Sequence, residues 1–201
     1  MDAGGARAVT TNSGDGPCGP VTGEEMGLLG SSWFAEHPTV PEEAIVANVN
    51  IDMVLILHPL HDVIAFGAEH STLAEPLERA ARHLGIDVSP DPWPEEVIFV
   101  RSDQYSFVRK GIPALFPIPG AESGSPDVDG PAREKAWRSD IYHTPKDDLG
   151  QEIVWETGAA FARLVFLLTS FVADAPERPV WNEGDFFGEL FGGPMVKAGP
   201  K

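Results

Sequence analysis

Two kinds of apolar pattern alternate along the chain: short β-rich runs and longer stretches with helical spacing. Residues 44–52 and 62–69 form apolar runs that are typical of strands covered by helices on both faces of a sheet. Residues 97–100 and 112–118 form two more such runs, and residues 102–111 between them predict a short helix. We therefore expect these four runs to be strands of one sheet.

Three longer stretches have the spacing of amphipathic helices. The first covers about residues 25–37, and the last covers residues 153–173. The second begins near Thr72, which forms a capping-box pattern with Glu75, and it ends at Gly85, where a C-terminal cap belongs. Because strand and helix alternate, the sequence predicts an α/β fold built as a three-layer sandwich.

Three segments lie outside this pattern. Residues 1–22 are rich in Gly and have no periodic apolar face, so we expect them to be disordered or foreign to the fold. Residues 119–140 predict a long loop that borders a site. Residues 176–201 carry aromatic residues among glycines, which predicts a tail packed on the domain surface. The folded domain itself is expected to cover residues 23–175.

Charge narrows the range of partners. The 201-residue chain has 14 Lys and Arg against 31 Asp and Glu, a net charge of −17, so repulsion from phosphate argues against nucleic acid and anionic membranes as partners.

The N-terminus has no apolar core of a signal peptide, and residues 164–173, the most apolar stretch, are half as long as a bilayer span. Cys18 is the single cysteine and has no base beside it in sequence, which argues against a disulfide framework and a thiol nucleophile.

Acidic residues and a histidine stand at the ends of predicted elements, where α/β proteins build their sites. Glu24 and Glu25 are adjacent before the first helix, so one carboxylate can bind a metal while the other holds a proton nearby. Asp52 ends an apolar run, where a carboxylate is costly to bury without a cation or hydrogen-bond donors. His143, which follows Tyr142, lies in a loop and can turn one ring nitrogen to a metal.

Each of these residues also has an ordinary structural explanation. A Glu pair at a helix start favours the helix dipole, an Asp after a strand is usually a cap, and a loop His is usually solvated. His58, His61 and Asp62 form another possible ligand group, but residues three apart in an extended segment face opposite sides, so we expect no metal there. Composition and spacing alone therefore indicate only an acidic α/β domain.

Four strings in order along the chain carry more information: TGEEMGLLGSSWFAEHP, ANVNIDM, SDQYSFVRKGIPALF and YHTPKDDL. Together they resemble peptidase family M28, the co-catalytic zinc peptidases that include bacterial leucyl aminopeptidases, aminopeptidase Y and glutamate carboxypeptidase II. The resemblance covers about residues 22–173. It implies a zinc exopeptidase-like sandwich with a mixed, mostly parallel sheet.

The resemblance also implies roles for individual residues. In this family the first Glu of the pair is the general base, which matches Glu24, and the second is a zinc ligand, which matches Glu25. His143 matches a further ligand of the same zinc, and Asp52 matches a ligand of the other zinc. Tyr142 matches a residue that in some relatives donates a hydrogen bond to the developing oxyanion.

The resemblance says less about the roles of two neighbouring residues, Asp103 and Gln104. Asp103 matches a supporting position near the site. Gln104 stands where many relatives carry His, so the resemblance leaves its role open.

The segment before the Glu pair departs from the family pattern. Relatives carry a His in an HxD segment and a metal-bridging Asp there, followed by an apolar strand. Residues 1–20 contain no HxD segment, and their pattern predicts no such strand. One zinc would keep Glu25 and His143 and the other only Asp52, whereas a catalytic zinc normally has three protein ligands. We therefore expect a fold that is incomplete on its N-terminal side.

Three explanations of this departure stay open. The chain is a truncated or frameshifted gene product, one part of a site that another chain completes, or a non-catalytic relative that acts in binding or structure.

For the function, the resemblance implies zinc-dependent exopeptidase action on a peptide substrate, by hydrolysis of its N-terminal peptide bond. The parent family uses two zincs, and because two ligands are missing, we expect this chain to bind at most one, weakly. Many relatives are secreted or periplasmic, although this chain carries no export signal. Substrate side-chain preference and the choice between aminopeptidase and carboxypeptidase action stay open.

Overall fold

A mixed sheet forms the centre of the computed structural model, which describes residues 8–11 and 19–194. Its strands in this part of the chain are β1 (Ala8–Thr11), β2 (Ile45–Val49), β3 (Asp62–Phe66), β4 (Asp87–Ser89) and β5 (Ala114–Pro119). The strand order is β1-β2-β5-β3-β4. All neighbours run parallel except β3 and β5, which are antiparallel. The sheet is mixed and mostly parallel, as predicted.

Helices cover both faces of this sheet. In the described residues they are α1 (Leu29–Glu36), α2 (Ala74–Leu84), α3 (Gln104–Val108), α4 (Gly130–Asp140), α5 (Trp155–Asp174) and α6 (Phe186–Phe191). The alternation along β3 separates the layers, because Val63 and Ala65 join the apolar cluster with α2 and α5, whereas Ile64 and Phe66 join the cluster with α3 and α6. Each fully buried aliphatic side chain stabilises such a core by about 1.5–3 kcal/mol. The predicted three-layer α/β sandwich is confirmed.

The first helix begins later than predicted. Residues 23–28 form consecutive turns, in which the Leu29 N–H donates to the Gly23 carbonyl and Leu28 adopts a left-handed φ of 60°. The helix therefore starts at Leu29, and Glu24 and Glu25 lie in the turn before it rather than in its first turn.

The predicted strand over residues 97–100 is wrong. Val97 has a left-handed φ of 52°, which a strand cannot include, and Ile98–Val100 form a single 3-10 turn. This turn buries the Phe99 ring against Gly67, where an added Cβ would overlap the ring. Tertiary packing of one aromatic ring has overridden the β-branched composition of the segment.

Residues 119–140 are only partly a loop, because α4 occupies their second half. Asp129 caps this helix by accepting a hydrogen bond from the Ala132 N–H at 2.9 Å, and Pro131 stands in its first turn. The sequence pattern also missed β4, which is three residues long.

The two ends of α2 differ in how well they follow the prediction. The Thr72 hydroxyl does not cap the helix but accepts a hydrogen bond from the Val180 N–H at 3.0 Å. The C-terminal cap is confirmed, because Gly85 has a φ of 68° and its N–H donates to the Ala81 carbonyl.

The segment 1–22 contains a strand, which the sequence did not predict. Residues 8–11 form β1 and pair in parallel with β2. Residues 1–7 and 12–18 lie outside the described residues.

The aromatic tail packs on the domain, as predicted for the part up to residue 194. Trp181 is fully buried, forms a β-bridge with Ser71, and donates from its indole nitrogen to the Gly111 carbonyl at 3.0 Å. Asp185 caps α6 and also accepts a hydrogen bond from His70 at 2.7 Å. Residues 195–201 lie outside the described residues.

One described helix is long and apolar enough for a membrane span by length and composition, which the ten-residue stretch seen in the sequence did not suggest. This helix is α5. Its Phe161, Leu164 and Leu168 are buried in the core against the sheet and α2, so its apolar face has a partner inside the domain.

Candidate active site

A cleft of about 810 Å³ opens beside the carboxyl end of β2. Five of the six predicted site residues line it, and the sixth, Asp103, is not among its lining residues. The cleft is lined by Glu24, Glu25, Asp52, Met53, Trp93, Glu96, Ile98, Arg101, Ser102, Phe116, Trp137, Arg138, Tyr142, His143 and Asp147.

The glutamate pair and the histidine meet across this cleft. Nε2 of His143 lies 2.9 Å from Oε1 of Glu25, although the two residues are far apart in sequence. Both side chains are more than half exposed, at 57% for His143 and 73% for Glu25, so they face open space rather than a packed core. This contact brings together the two residues that the sequence assigned to one metal.

Asp52 is held on the neighbouring side by a chain of hydrogen bonds. The Ser102 hydroxyl donates to Oδ2 of Asp52 at 3.2 Å, and the Asn50 amide donates to the Ser102 oxygen at 3.1 Å. The Asn50 amide also donates to Oε1 of Gln104 at 2.8 Å, and Gln104 in turn donates to the Phe99 carbonyl at 2.7 Å. Gln104 is fully buried, so it supports Asn50 from behind and does not face the cleft.

The surroundings of Glu24 raise the proton affinity of its carboxyl group. Partial burial raises the pKa of its carboxyl group, and the negative charges of Asp52, Glu25 and Asp103 raise it further. A hydrogen bond from Ser102 works in the opposite direction. A carboxylate with a raised pKa accepts a proton more readily, which suits general-base catalysis.

Tyr142 keeps its phenol protonated next to the histidine. Burial raises the pKa of its hydroxyl, as does the charge of Glu25, whereas Arg138 lowers it. Its ring stacks on the His143 ring at 3.8 Å and lies 5.7 Å from the Trp137 ring. A neutral phenol in this place is able to donate a hydrogen bond.

The backbone of the site includes unusual conformations. Leu28, Met53, Val97 and His143 are the non-glycine residues with left-handed φ in the part of the chain that the structure describes. Met53 and His143 line the cleft, and Leu28 and Val97 flank segments that line it. Such conformations cost of order 1 kcal/mol or more each.

Asp103 is buried without a full set of partners. Its side chain is 6% exposed, and Oδ1 has no hydrogen-bond partner among the described residues. Burial raises the pKa of this carboxyl group, a hydrogen bond with Ser31 lowers it, and the charge of Asp52 raises it. Asp103 thus stands at the start of α3 and contacts Ser31 of α1, and it is not among the residues that line the cleft.

We expect Asp103→Asn to stabilise the metal-free chain at pH 7 by about 1–3 kcal/mol, because the variant removes an incompletely paired buried charge. A raised native pKa means that the folded state binds more protons than the unfolded state, so wild-type stability falls as pH rises through the native pKa. The increase in the free energy of unfolding caused by Asp103→Asn should therefore shrink as the pH falls toward 3.8, the ordinary pKa of an Asp carboxyl group. Urea unfolding of both proteins at several pH values measures this, with exposed Asp127→Asn as control; a constant or negative difference would contradict it.

Nitrogen and oxygen donors of this kind suit zinc, yet they complete no site. Glu25 and His143 contact each other and Asp52 lines the same cleft, but no group of three or more His, Cys, Asp or Glu residues within the described ranges is arranged to hold a metal ion. Glu25, His143 and Asp52 therefore offer donor atoms that suit zinc, without a complete ligand set among the described residues.

The dismissed group around His58 has structural contacts. His58 is 5% exposed, its Nδ1 lies 3.2 Å from the Pro59 carbonyl, and its own carbonyl accepts from Thr157. His61 lies 3.4 Å from Asp87, and the buried Asp62 carboxylate accepts from the Glu122 N–H. Each of these three residues therefore has a structural contact of its own.

The sequence missed several residues of the cleft. Trp137 and Arg138 come from the segment 119–140, which was predicted as a loop, and Trp93 comes from a segment for which no element was predicted. Ser102 stood beside the predicted Asp103, but only the fold shows that its hydroxyl reaches Asp52.

Comparison with known proteins gives the family. The family profile of peptidase family M28 matches residues 20–169. No curated protein sequence matches the chain significantly.

Solved aminopeptidases have a similar fold. The aminopeptidase from Aneurinibacillus sp. strain AM-1 superimposes with a TM-score of 0.50 at 23% identity, over 79% of this chain and 33% of that one. LapA from Legionella pneumophila gives a TM-score of 0.56 at 19% identity over 77% of this chain and 39% of its own, and a second LapA structure gives 0.54 at 20% identity, over 78% and 38%. The chain thus spans 33–39% of the length of these structures. Because the family profile covers most of the chain, the chain belongs to peptidase family M28.

Proposed function

We propose that this chain carries the general base and part of the metal-ligand set of a zinc-dependent exopeptidase of aminopeptidase type, which removes the N-terminal residue of a peptide. The observation that carries the proposal is the contact of Glu25 with His143 at 2.9 Å, in the same cleft as Glu24. Membership of family M28 supports a hydrolase that cleaves peptide bonds.

Glu24 is the proposed proton carrier. With its raised pKa, its carboxylate accepts the proton of the attacking water and delivers it to the nitrogen of the leaving amine. Tyr142 is the proposed oxyanion donor, since its protonated hydroxyl adjoins the same cleft.

Glu25 and His143 are the proposed ligands of one zinc, and Asp52 is the proposed ligand of a second. When bound by these residues, zinc would supply Lewis-acid activation of the water and of the scissile carbonyl. In the parent family an HxD segment and a bridging Asp complete the two sites. The catalytic cycle of a whole peptidase is therefore a proposal for a protein in which these ligands are also present.

We expect the 201-residue chain to bind at most one zinc ion, weakly, because its predicted ligands divide two and one between the metals. Either Glu25→Gln or His143→Gln should weaken zinc binding at least tenfold, because the loss of a direct ligand should cost no less than the loss of an outer-shell partner. Titration with Zn²⁺ followed by metal analysis after gel filtration measures this. His83→Gln, which changes an exposed histidine on α2, is the matched control.

The proposal fails if both variants bind zinc as the wild type does. Two tightly held zincs per chain, with turnover of aminoacyl anilides that depends on Glu24, would instead show that residues we have dismissed supply the remaining ligands.

A second candidate is a non-catalytic relative that binds peptides. It is favoured by the lack of any arranged group of three metal-binding side chains within the described residues. A well-folded chain that takes up no zinc but binds peptides in the cleft would select this function over the first.

A further inference from the structure

Two guanidinium groups, those of Arg101 and Arg138, stand in the wall of this mostly acidic cleft. Arg101 is 63% exposed and pairs with Glu96, whereas Arg138 is held in place within the wall. Arg138, from the last turn of α4, lines the cleft beside Tyr142, and 32% of its side chain is exposed. Its charge lowers the pKa of the Tyr142 hydroxyl, so the two groups are close. The whole chain has 14 Lys and Arg against 31 Asp and Glu, which makes a cation at this place notable.

Two contacts fix the orientation of the Arg138 side chain. Its Nε and Nη2 both donate to Oε1 of Glu134, at 2.8 and 2.6 Å, and Glu134 is only 7% exposed. Its guanidinium carbon also lies over the Trp93 ring, 5.2 Å from the ring centre. Because the group is already oriented, it loses little conformational entropy when it binds an anion.

Part of the guanidinium is left for a ligand. The bonds to Glu134 use Nε and Nη2, and none of the hydrogen bonds among the described residues involves Nη1. A Glu–Arg pair one turn apart is common on exposed helix faces. Here, however, the arginine faces a cleft that contains a candidate catalytic tyrosine rather than bulk solvent.

The same cleft also contains groups of the complementary charge. Glu24, Glu25 and Asp52 are carboxylates and would attract the free amine of a peptide. A volume of about 810 Å³ is in the range of sites for small ligands, which suits a short peptide. A ligand with an amine and a carboxylate at a suitable separation would pair with both the carboxylates and Arg138.

We propose that Arg138 determines substrate specificity by binding a carboxylate of the substrate. The inference rests on the proposed exopeptidase function and narrows its substrates to short peptides that carry a carboxylate near the scissile bond. This carboxylate is either the C-terminal group of a di- or tripeptide or the side chain of an acidic residue. The two sources share one chemistry and are separated by experiment.

Binding to the metal-free wild-type chain tests the proposal without any turnover. Isothermal titration compares leucyl-leucine with leucyl-leucinamide, and leucyl-glutamic α-amide with leucyl-glutaminamide. We expect the carboxylate to bind about tenfold more tightly than its amide in one pair, as a charge-assisted hydrogen bond provides. A preference in the first pair identifies the C-terminal group, and a preference in the second identifies the side chain. Equal affinities in both pairs would overturn the proposal.

Variants on α4 assign the preference to Arg138. Arg138→Gln should abolish the preference for the carboxylate. Arg138→Lys should retain part of it, because the positive charge stays while the paired N–H donors of the planar guanidinium are lost. Arg133→Gln is the matched control, because Arg133 lies on the same helix, pairs with Glu152 and does not line the cleft. A preference that persists in Arg138→Gln would contradict the assignment.

This test does not depend on the peptidase function. A chain that binds no zinc through Glu25 and His143 but prefers carboxylate ligands through Arg138 would refute the proposed function and leave Arg138 as a carboxylate-binding residue. The reverse result would refute only the inference.

Discussion

In a chain extended by the family's HxD segment and bridging Asp, Glu24→Gln is expected to lower kcat by 10²- to 10⁴-fold, the usual contribution of a general base. The physical reason is that the amide cannot accept the proton of water, although it has nearly the same shape. Zinc content should not change, since Glu24 is not a proposed ligand. Initial rates with leucine anilides and metal analysis of the same samples measure both effects.

Glu36→Gln is the matched control for this variant, because Glu36 is an exposed residue at the end of α1 outside the cleft. Loss of zinc with residual turnover in Glu24→Gln would reverse the roles of Glu24 and Glu25. Wild-type turnover with full zinc content would remove Glu24 from the mechanism altogether.

Trp181→Ala is expected to reduce the free energy of unfolding by about 3–5 kcal/mol, the usual cost of removing a buried Trp side chain. Trp181 is fully buried among Phe187 and the sheet residues, and its indole N–H satisfies the Gly111 carbonyl at 3.0 Å. The substitution would leave both a cavity and an unpaired carbonyl. A loss of this size is a large part of the stability of an ordinary domain.

Urea unfolding followed by far-ultraviolet circular dichroism measures this loss. Trp155→Ala is the matched control, because Trp155 is 66% exposed at the start of α5 and should change the free energy by much less. A loss for Trp181→Ala as small as the one expected for Trp155→Ala would show that Trp181 does not anchor the C-terminal segment to the domain.

The sequence predicted the layers of the fold because they depend on local periodicity. The apolar runs that became β2, β3 and β5 and the stripes of α2 and α5 are visible in short windows. The failure at Val97 has the opposite cause, because its backbone conformation follows from the packing of Phe99 on Gly67. No short window contains that information.

The candidate site was also predictable only as far as local sequence carries the information. The family strings located Glu25 and His143, and the fold brings them into contact. The support of Asp52 by Ser102 could not be predicted from spacing, because it joins residues that are 50 positions apart and depends on the folded sheet. Arg138 was missed because the helix that carries it lies in a segment rich in Gly, Pro and Asp.

The residues with a left-handed backbone conformation around the cleft affect which substitutions the protein can accept during evolution. Leu28, Met53, Val97 and His143 hold conformations that Gly or Asn would adopt at lower cost. A change to Gly at Leu28 or Val97 would thus relieve local strain, while it would also give the turns beside Glu25 and Ile98 more freedom in the native state. Selection for stability alone would favour such changes, and selection for a fixed cleft geometry would oppose them. A lineage that had abandoned catalysis would be free to accept them.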